Sequence, residues 1–299
     1  MKEKKRPEIS VIMGVYNQWD SGRLQESITS VLEQTFRDFE FIIYSDGSDA
    51  AVLEQLEQYA RQDERIVLIH NPLNHGLAYS LNMCIDVAGG KYLARMDDDD
   101  VCVPERFAVQ YEFMEAHPEI SFSGSNAKLL DDRGVWGIRR MPEWPDKRDF
   151  LKYSPFIHPS LFVRRSVFET EGDYRAGKET WRCEDYELFM RLWKSGCRGC
   201  NLQKELLYYR EDRNAYRKRK WKHRMNEMRL RYRNFREMKL LFPFGWCYVL
   251  RPVVAGIVPS GLIFGAKRLY HLREKAFVRR RACGKNIGRK EFAEETDEK

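Results

Sequence analysis

The chain of 299 residues lacks a long uncharged apolar segment. Its longest candidate in the apolar C-terminal stretch, residues 252–266, has 15 residues, whereas a helix that spans a bilayer needs about 20. The mean hydropathy of −0.62 agrees with this shortage. Together the two observations exclude a polytopic membrane protein.

Common nucleotide and cysteine motifs are absent as well. The sequence has neither GxGxxG nor GxxxxGK[ST], so it carries no dinucleotide or Walker signature. Cys197 and Cys200 form one CxxC without a second pair at zinc spacing, and the seven cysteines are predicted to be reduced thiols. The first ten residues hold no apolar segment, so we expect no signal peptide and an intracellular reaction.

The charge that is present is unevenly distributed. Residues 1–209 contain 27 Lys and Arg against 35 Asp and Glu, whereas residues 210–299 contain 25 against 10. We therefore predict a globular domain over residues 1–210 and a separate basic region over residues 211–299. Such a basic region is typical of contact with a membrane surface or a nucleic acid.

The basic region shows helical periodicity. Its large apolar residues are spaced four, three, four and three apart, which predicts one stripe along a helix: Trp221, Met225, Met228, Tyr232 and Phe235. Aromatic rings that share a face with methionines are typical of packing, whereas nucleic-acid stacking needs exposed rings, so nucleic acid is not expected as a partner. The apolar stretch that follows, too short to span, favours a helical extension lying on a membrane.

The acidic region alternates between short apolar runs and segments of helical periodicity. This alternation predicts an α/β fold with a mostly parallel sheet flanked by helices. Strands are predicted at residues 9–13, 39–44, 65–70, 92–96, 160–164 and 205–209, and helices at 24–32, 52–60, 77–88, 104–117 and after Glu184. Residues 121–144 are predicted to be irregular.

Polar residues follow three of the predicted strands, at Tyr16, Asp46 and Asp97–Asp100. Ligands of parallel sheets bind beyond the carboxyl ends of the strands, so these side chains are expected to converge. Four adjacent carboxylates repel one another unless a cation compensates them, and oxygen ligands suit Mg²⁺ or Mn²⁺. A solvated acidic turn before the next helix is the alternative.

The other candidates have structural alternatives too. Asp46 either accepts a hydrogen bond from a ligand or forms an Asx-turn in its Gly-Ser loop. Tyr16 either stacks on a base or closes the end of the sheet. Glu184 and Asp185 either cap a helix or supply a general base that deprotonates an attacking hydroxyl.

Together, five segments resemble inverting family-2 glycosyltransferases of the GT-A fold, and most of all bacterial capsule and exopolysaccharide enzymes. The similarity is dense over residues 8–120 and weaker to about residue 210. The segments are ISVIMGVYN, QTFRDFEFIIYSDGSD, NHGLAYSLN, GGKYLARMDDDDVCVPER and CEDYELFMRL. Each is weakly specific alone, but the five in this order are highly specific.

The resemblance implies a role for each matching residue. Val15 and Tyr16 would line the pocket of the nucleotide base, and Asp46 would bind the base. Asp97 and Asp99 would match the ends of the family's DxD motif, with Asp97 near the ribose and phosphates and Asp99 on the metal. Asp185 would be the catalytic base, with Glu184 beside it near the acceptor.

The sequence departs from the family pattern in places. Ser45 stands where the family usually has a first Asp, and Gly14 where Pro is frequent. Asp98 replaces the usual Ala, so it joins the predicted nucleotide-sugar contacts and leaves open which Asp binds the metal. The motif HPS at His158 also looks like the family, which suggests contact with the phosphates or the acceptor.

Two arginines follow the last predicted strand. Arg210 and Arg213 either pair with the diphosphate or belong to a solvated basic face. Neither choice follows from the sequence alone.

The resemblance therefore implies a metal-dependent enzyme that moves a sugar, commonly from a UDP-sugar, to a hydroxyl of a lipid-linked glycan. The expected location is the cytoplasmic face of the cell membrane, as a peripheral protein, with other polysaccharide-assembly proteins as candidate partners. Two alternatives are an interaction or regulatory protein built on a transferase fold, and a nucleotidyltransferase. A nucleotidyltransferase would need a Gly-rich, basic first loop, and the first loop here, GVYNQWD, lacks that character.

Overall fold

The computed structural model describes residues 6–18, 21–211 and 221–258. One half of its sheet is parallel, with the strand order β3-β2-β1-β4. These strands are β1 (Ile9–Val15), β2 (Phe39–Asp46), β3 (Ile66–Asn71) and β4 (Tyr92–Arg95), and the connecting helices are α1 (Ser21–Leu32), α2 (Ala50–Gln62) and α3 (Leu77–Val87). The predicted alternation is confirmed here.

Local chemistry fixes the carboxyl end of β2. The Asp49 side chain accepts a hydrogen bond from the backbone N–H of Val52 and so caps α2. Gly47 has a φ of +73°, and a Cβ there would lie 2.6 Å from the backbone nitrogen of Asn74. Only glycine fits that approach, which brings the loop after β3 against the end of β2.

The other half of the sheet is mixed, which corrects the prediction of a mostly parallel sheet. β8 pairs antiparallel with β4 and β6, β5 pairs antiparallel with β9, and β6 pairs parallel with β9. The strands are β5 (Val101–Cys102), β6 (Phe122–Asp131), β7 (Gly134–Arg139), β8 (Phe162–Arg164) and β9 (Gly199–Arg210). The helices are α4 (Arg106–Ala116), α5 (Asp149–Lys152), α6 (Arg165–Glu171) and α7 (Glu184–Lys194).

Residues 121–144 are not irregular, since they contain the antiparallel hairpin of β6 and β7. Apolar periodicity does not reveal β6 because several of its buried residues are polar. Ser123, Ser125 and Asn126 are buried, and the Asn126 side chain accepts a hydrogen bond of 2.8 Å from the backbone N–H of Met141. Hydrogen bonding of this kind makes their burial tolerable.

Two further helices, α8 (Trp221–Glu237) and α9 (Gly245–Ile257), pack against the body. Leu230, Phe235 and Val249 join a core cluster that includes Ile12 and Ile42 of the parallel half. The boundary at residue 210 stays a prediction, but the described part of the C-terminal region shares the core of the first region.

The buried face of α8 differs from the predicted aromatic stripe. Phe235 is buried, yet Trp221 and Tyr232 are 53% and 40% exposed. Glu227 and Arg231 are buried instead because they form an ion pair of 2.9 Å with each other. Among the described residues, no helix is both long and apolar enough to cross a bilayer.

Candidate active site

The carboxyl ends of β1, β2 and β4 lie at the same edge of the sheet because these strands are parallel neighbours. Beyond β4, a cavity of about 670 Å³ opens between the sheet edge and the C-terminal helices. Its lining includes six of the predicted site residues and Arg210: Asp97, Asp98, Asp99, His158, Glu184, Asp185 and Arg210.

The acidic residues after β4 form a compact cluster. Carboxylate oxygens of Asp97, Asp99 and Asp100 all lie within 4.8 Å of one another. Burial and the neighbouring charge of Asp97 raise the pKa of Asp99 to about 6. Burial and the charges of Asp99 and Asp97 also raise the pKa of Asp98 and of Asp100 well above the ordinary range. Nearby arginines compensate this negative charge only in part, since the pKa of Asp99 remains raised.

This donor set fits a divalent cation. Oδ1 of Asp100 accepts a hydrogen bond of 2.7 Å from the backbone N–H of Arg210, whereas its Oδ2 is buried without a partner among the described residues. Carboxylate oxygens are the ligands that Mg²⁺ and Mn²⁺ prefer, and a cation would relieve both the repulsion and the unpaired oxygen. Asp100, which the sequence placed in the acidic run without an individual role, therefore joins Asp97 and Asp99 as a candidate ligand.

Arg95, at the end of β4, holds Asp97 in place. Its side chain is 3% exposed, and its Nη2 donates to Oδ1 of Asp97. The hydroxyl of Ser27 donates to the Asp97 carbonyl at 2.7 Å, which fixes the backbone at the same point. Sequence reasoning missed Arg95, although an arginine at the end of a buried strand was a visible signal.

The partly buried His158 and the buried Tyr174 form a polar pair beside the cluster. Nε2 of His158 lies 2.8 Å from the Tyr174 hydroxyl. Burial and the nearby charge of Arg95 lower the pKa of His158 well below its usual value, so the imidazole is neutral. Burial raises the pKa of Tyr174, on which the charges of Asp185 and Asp97 also act. Nothing in the sequence around Tyr174 pointed to it.

Glu184 and Asp185 begin α7 at the cavity. The N-cap position belongs to Cys183, whose side chain makes no capping hydrogen bond, so neither carboxylate is the cap that the alternative interpretation required. Burial raises the pKa of Glu184, and the charge of Asp185 adds to that effect. The structure therefore places Asp185 on the same cavity as Asp97 and Asp99, which are distant in the sequence.

The predicted base-binding residues do not line this cavity. Val15 is fully buried, and Tyr16 is 54% exposed at the end of β1. Asp46 is buried, and its carboxylate accepts hydrogen bonds from the backbone N–H groups of His75 (2.9 Å) and Gly76 (2.7 Å). Asp46 therefore anchors the loop before α3 and does not form the Asx-turn of the alternative. Binding of a base by Val15, Tyr16 and Asp46 stays a prediction.

The two arginines predicted to follow the last strand have different outcomes, and Arg210 is itself the last residue of β9. Nε of Arg210 donates to the Asp99 carbonyl at 2.8 Å and its Nη2 to Glu26 at 2.9 Å, so this side chain supports the acidic loop. It does not belong to a solvated face, since only 7% of the side chain is exposed. Arg213 lies outside the described residues.

Comparison with known proteins identifies the family of this chain. The family model described as Glycosyl transferase family 2 matches residues 10–172. Similar proteins include EpsE of Bacillus subtilis, which carries a provisional glycosyltransferase name: it is 35% identical, and the match covers 90% of this chain and 96% of EpsE. The amylovoran biosynthesis glycosyltransferase AmsE of Erwinia amylovora is 31% identical, with coverage of 74% and 83%.

Solved structures show the same fold. TarS 1–349 of S. aureus, in complex with UDP-GlcNAc, has a TM-score of 0.58 at 17% identity and covers 83% of this chain and 81% of its own. The mannosyltransferase PcManGT of Pyrobaculum calidifontis, with GDP-Man and Mn²⁺, has a TM-score of 0.58 at 15% identity and covers 90% and 81%. The predicted GT-A fold is thereby confirmed, and the chain belongs to glycosyl transferase family 2 and is a glycosyltransferase.

Proposed function

We propose that this glycosyltransferase inverts the anomeric centre of a sugar that it moves from a UDP-sugar to a hydroxyl of a lipid-linked glycan, in capsule or exopolysaccharide synthesis. The observation that carries the proposal is the shared cavity of Asp185 and the acidic cluster. Relatives named for amylovoran and O-antigen biosynthesis support the polysaccharide context. The UDP-GlcNAc complex of TarS supports the choice of donor.

In the proposed reaction, the Asp185 carboxylate accepts the proton of the acceptor hydroxyl. The acceptor oxygen forms a bond to the anomeric carbon as the bond from that carbon to the diphosphate oxygen breaks. The electron pair of the broken bond leaves with the nucleoside diphosphate. A single displacement from the opposite face inverts the centre, so no covalent enzyme intermediate is required.

Asp97, Asp99 and Asp100 would hold a divalent cation that neutralises charge on the departing diphosphate. Arg95 orients Asp97 through their ion pair, and Arg210 holds the loop that carries Asp99 and Asp100. The neutral His158, paired with Tyr174, offers a hydrogen-bonding group at the cavity without adding charge. The chain's own part is thus to position the ligands and accept one proton.

Replacing Asp185 with Asn tests the catalytic base. The variant keeps the size of the side chain but loses its basicity, so turnover should fall by about 10²–10⁴-fold. A screen of nucleotide-sugars with Mn²⁺, by thermal shift and donor hydrolysis, identifies the donor for this assay. Asp86→Asn, an exposed Asp on α3, is the matched control and should retain activity. Near-normal turnover in Asp185→Asn would remove this residue from the role.

The C-terminal region is proposed to attach the enzyme to the cytoplasmic face of the membrane. Several large apolar side chains of this region are exposed: Phe242, Phe244, Trp246, Leu250, Val254, Ile257 and Val258. They lie in the strongly basic part of the sequence, and apolar insertion combined with positive charge is how proteins bind anionic bilayers.

Vesicle flotation tests this attachment. More protein should float with phosphatidylglycerol-containing vesicles than with phosphatidylcholine vesicles, and added salt should reduce the difference because it screens charge. Equal recovery with both lipids would overturn the electrostatic part of the proposal. No recovery with either would overturn the attachment itself.

A further inference from the structure

Three cations lie on the side of the cavity that the C-terminal helices form. Lys152 of α5, Arg224 of α8 and Arg251 of α9 line the cavity that contains Asp185. Nη1 of Arg251 donates to the Lys152 carbonyl, and Nη1 of Arg224 donates to the Pro252 carbonyl at 3.2 Å. These contacts connect the three residues into one group, here called the cation cluster.

The cation cluster is distinct from the buried pair beside it. Glu227 and Arg231 form an ion pair of 2.9 Å within α8. Lys152, Arg224 and Arg251 are positively charged residues that line the cavity from three separate elements. The donor diphosphate is assigned to the cation that the acidic cluster after β4 would hold. The positively charged residues on the other side of the cavity therefore suit an anionic group of the acceptor.

Helix α9 presents two different faces at this point. Arg251, Pro252 and Ala255 line the cavity. Leu250, Val254 and Ile257, spaced four and three apart, lie on another face and are 50%, 58% and 76% exposed. A cation inside the cavity and an apolar surface outside it, on the same helix, match a ligand in which a charged group is joined to an apolar chain.

We infer that the cation cluster binds the phosphate or diphosphate group that links the acceptor's glycan to its lipid. This inference rests on the proposed lipid-linked acceptor. Arginine guanidinium groups bind phosphate oxygens in a bidentate manner, and lysine contributes a point charge. Binding there directs the lipid along the exposed face of α9 and the glycan towards Asp185.

Farnesyl diphosphate is a suitable probe, with farnesol as its uncharged control. Calorimetry measures the binding of farnesyl diphosphate to the full-length protein. The solution contains saturating UDP, and the concentration of Mn²⁺ exceeds those of UDP and farnesyl diphosphate together. The variant Lys152→Gln/Arg251→Gln changes two exposed side chains, so it should fold, and Arg224→Gln is a second, independent variant. Arg233→Gln/Arg236→Gln, exposed on α8, is the charge-matched control.

We expect Lys152→Gln/Arg251→Gln to weaken farnesyl diphosphate binding by about tenfold to a hundredfold, because charge-assisted hydrogen bonds to phosphate are lost. UDP binding should change less than about twofold. The control should bind both ligands normally, and farnesol should bind all variants equally weakly.

Three results would overturn the inference. Equal farnesyl diphosphate binding in the variant and the control would remove the cation cluster from recognition. A parallel loss of UDP binding would assign the cluster to the donor. A loss of binding to phosphatidylglycerol vesicles with unchanged farnesyl diphosphate binding would assign it to lipid headgroups. Absence of UDP binding in the unmodified protein would instead contradict the proposed donor, and binding of farnesyl diphosphate can still be measured without nucleotide.

Discussion

Two groups of charged side chains contribute members to the lining of the same cavity, and the signs of their charges are arranged in opposite ways. Asp97, Asp99 and Asp100 bring like charges together, and burial together with the charge of Asp97 raises the pKa of Asp99 to about 6. Glu227 and Arg231 bring opposite charges together at 2.9 Å, and Arg231 also donates to the Leu151 carbonyl at 2.8 Å. In the first group Arg95 pairs with Asp97, yet the pKa of Asp99 stays raised, whereas in the second group the two members pair with each other.

The difference separates function from stability. Like charges that are kept close despite their repulsion indicate a site prepared for an external cation. A buried pair whose members satisfy each other holds helices in place, and removing one member leaves an uncompensated charge. Perturbing the first group should therefore affect turnover most, and perturbing the second should affect unfolding most.

Removing divalent cations gives the largest expected effect. Treatment with EDTA should lower sugar transfer by at least about a hundredfold, because the cation contributes several kcal/mol of charge stabilisation. Added Mn²⁺ or Mg²⁺ should restore the rate, and the unfolding midpoint should rise with cation because the carboxylates no longer repel one another. Undiminished transfer after chelation would contradict the assignment of the acidic cluster.

Breaking the buried pair gives the next largest effect, and it concerns stability. Arg231→Met should lower the free energy of unfolding by about 3–5 kcal/mol, since Glu227 would keep a buried charge and lose its ion pair with Arg231. Urea unfolding followed by circular dichroism measures this change.

The double variant Glu227→Leu/Arg231→Met separates the pair from the site. It should recover most of the lost stability because neither charge remains. If the double variant is no more stable than Arg231→Met, the ion pair is not the reason that α8 packs where it does.

His158, which lines the same cavity, gives the smallest effect. Its pKa is lowered in the folded protein from about 6.5, so the unfolded chain takes up a proton first as the pH falls. Folding stability should therefore decrease below about pH 6.5, by about 1.4 kcal/mol per pH unit for this group, until the folded imidazole is protonated. His158→Gln should show a correspondingly shallower dependence in urea unfolding, and identical slopes would contradict the burial of a neutral imidazole.

The parallel half of the fold was predictable because its signals are local. Apolar runs such as Ile9–Met13 end in polar loops, and each run is followed by a helical repeat. The hairpin of β6 and β7 was not predictable in this way because β6 buries polar residues. Ser123, Ser125 and Asn126 are buried and hydrogen-bonded to other segments of the chain. Strand direction in the mixed half likewise depends on pairings such as β6 with β9, which no periodicity encodes.

The site residues also fall into those predictable from local motifs and those that depend on tertiary contacts. Asp97–Asp99 and Asp185 were identified from short motifs at the end of a strand and the start of a helix, and the structure places them on one cavity. Arg95, Tyr174 and the cations of the C-terminal helices were missed because their roles depend on which elements meet in space. Asp46 shows the converse: its position at a strand end was predicted correctly, but its hydrogen bonds to the loop before α3 arise from tertiary contacts.

The contact between Arg231 and the Leu151 carbonyl joins residues 80 positions apart in the sequence, and Arg251 closes the cavity from still further along. A chain emerging from the ribosome would thus expose a reactive acidic edge long before the opposite wall existed. The cavity could enclose a substrate only after α9 had been synthesised and had packed against the body. A fragment that ends at residue 210 would lose both the core packing and the cavity wall that the C-terminal helices supply.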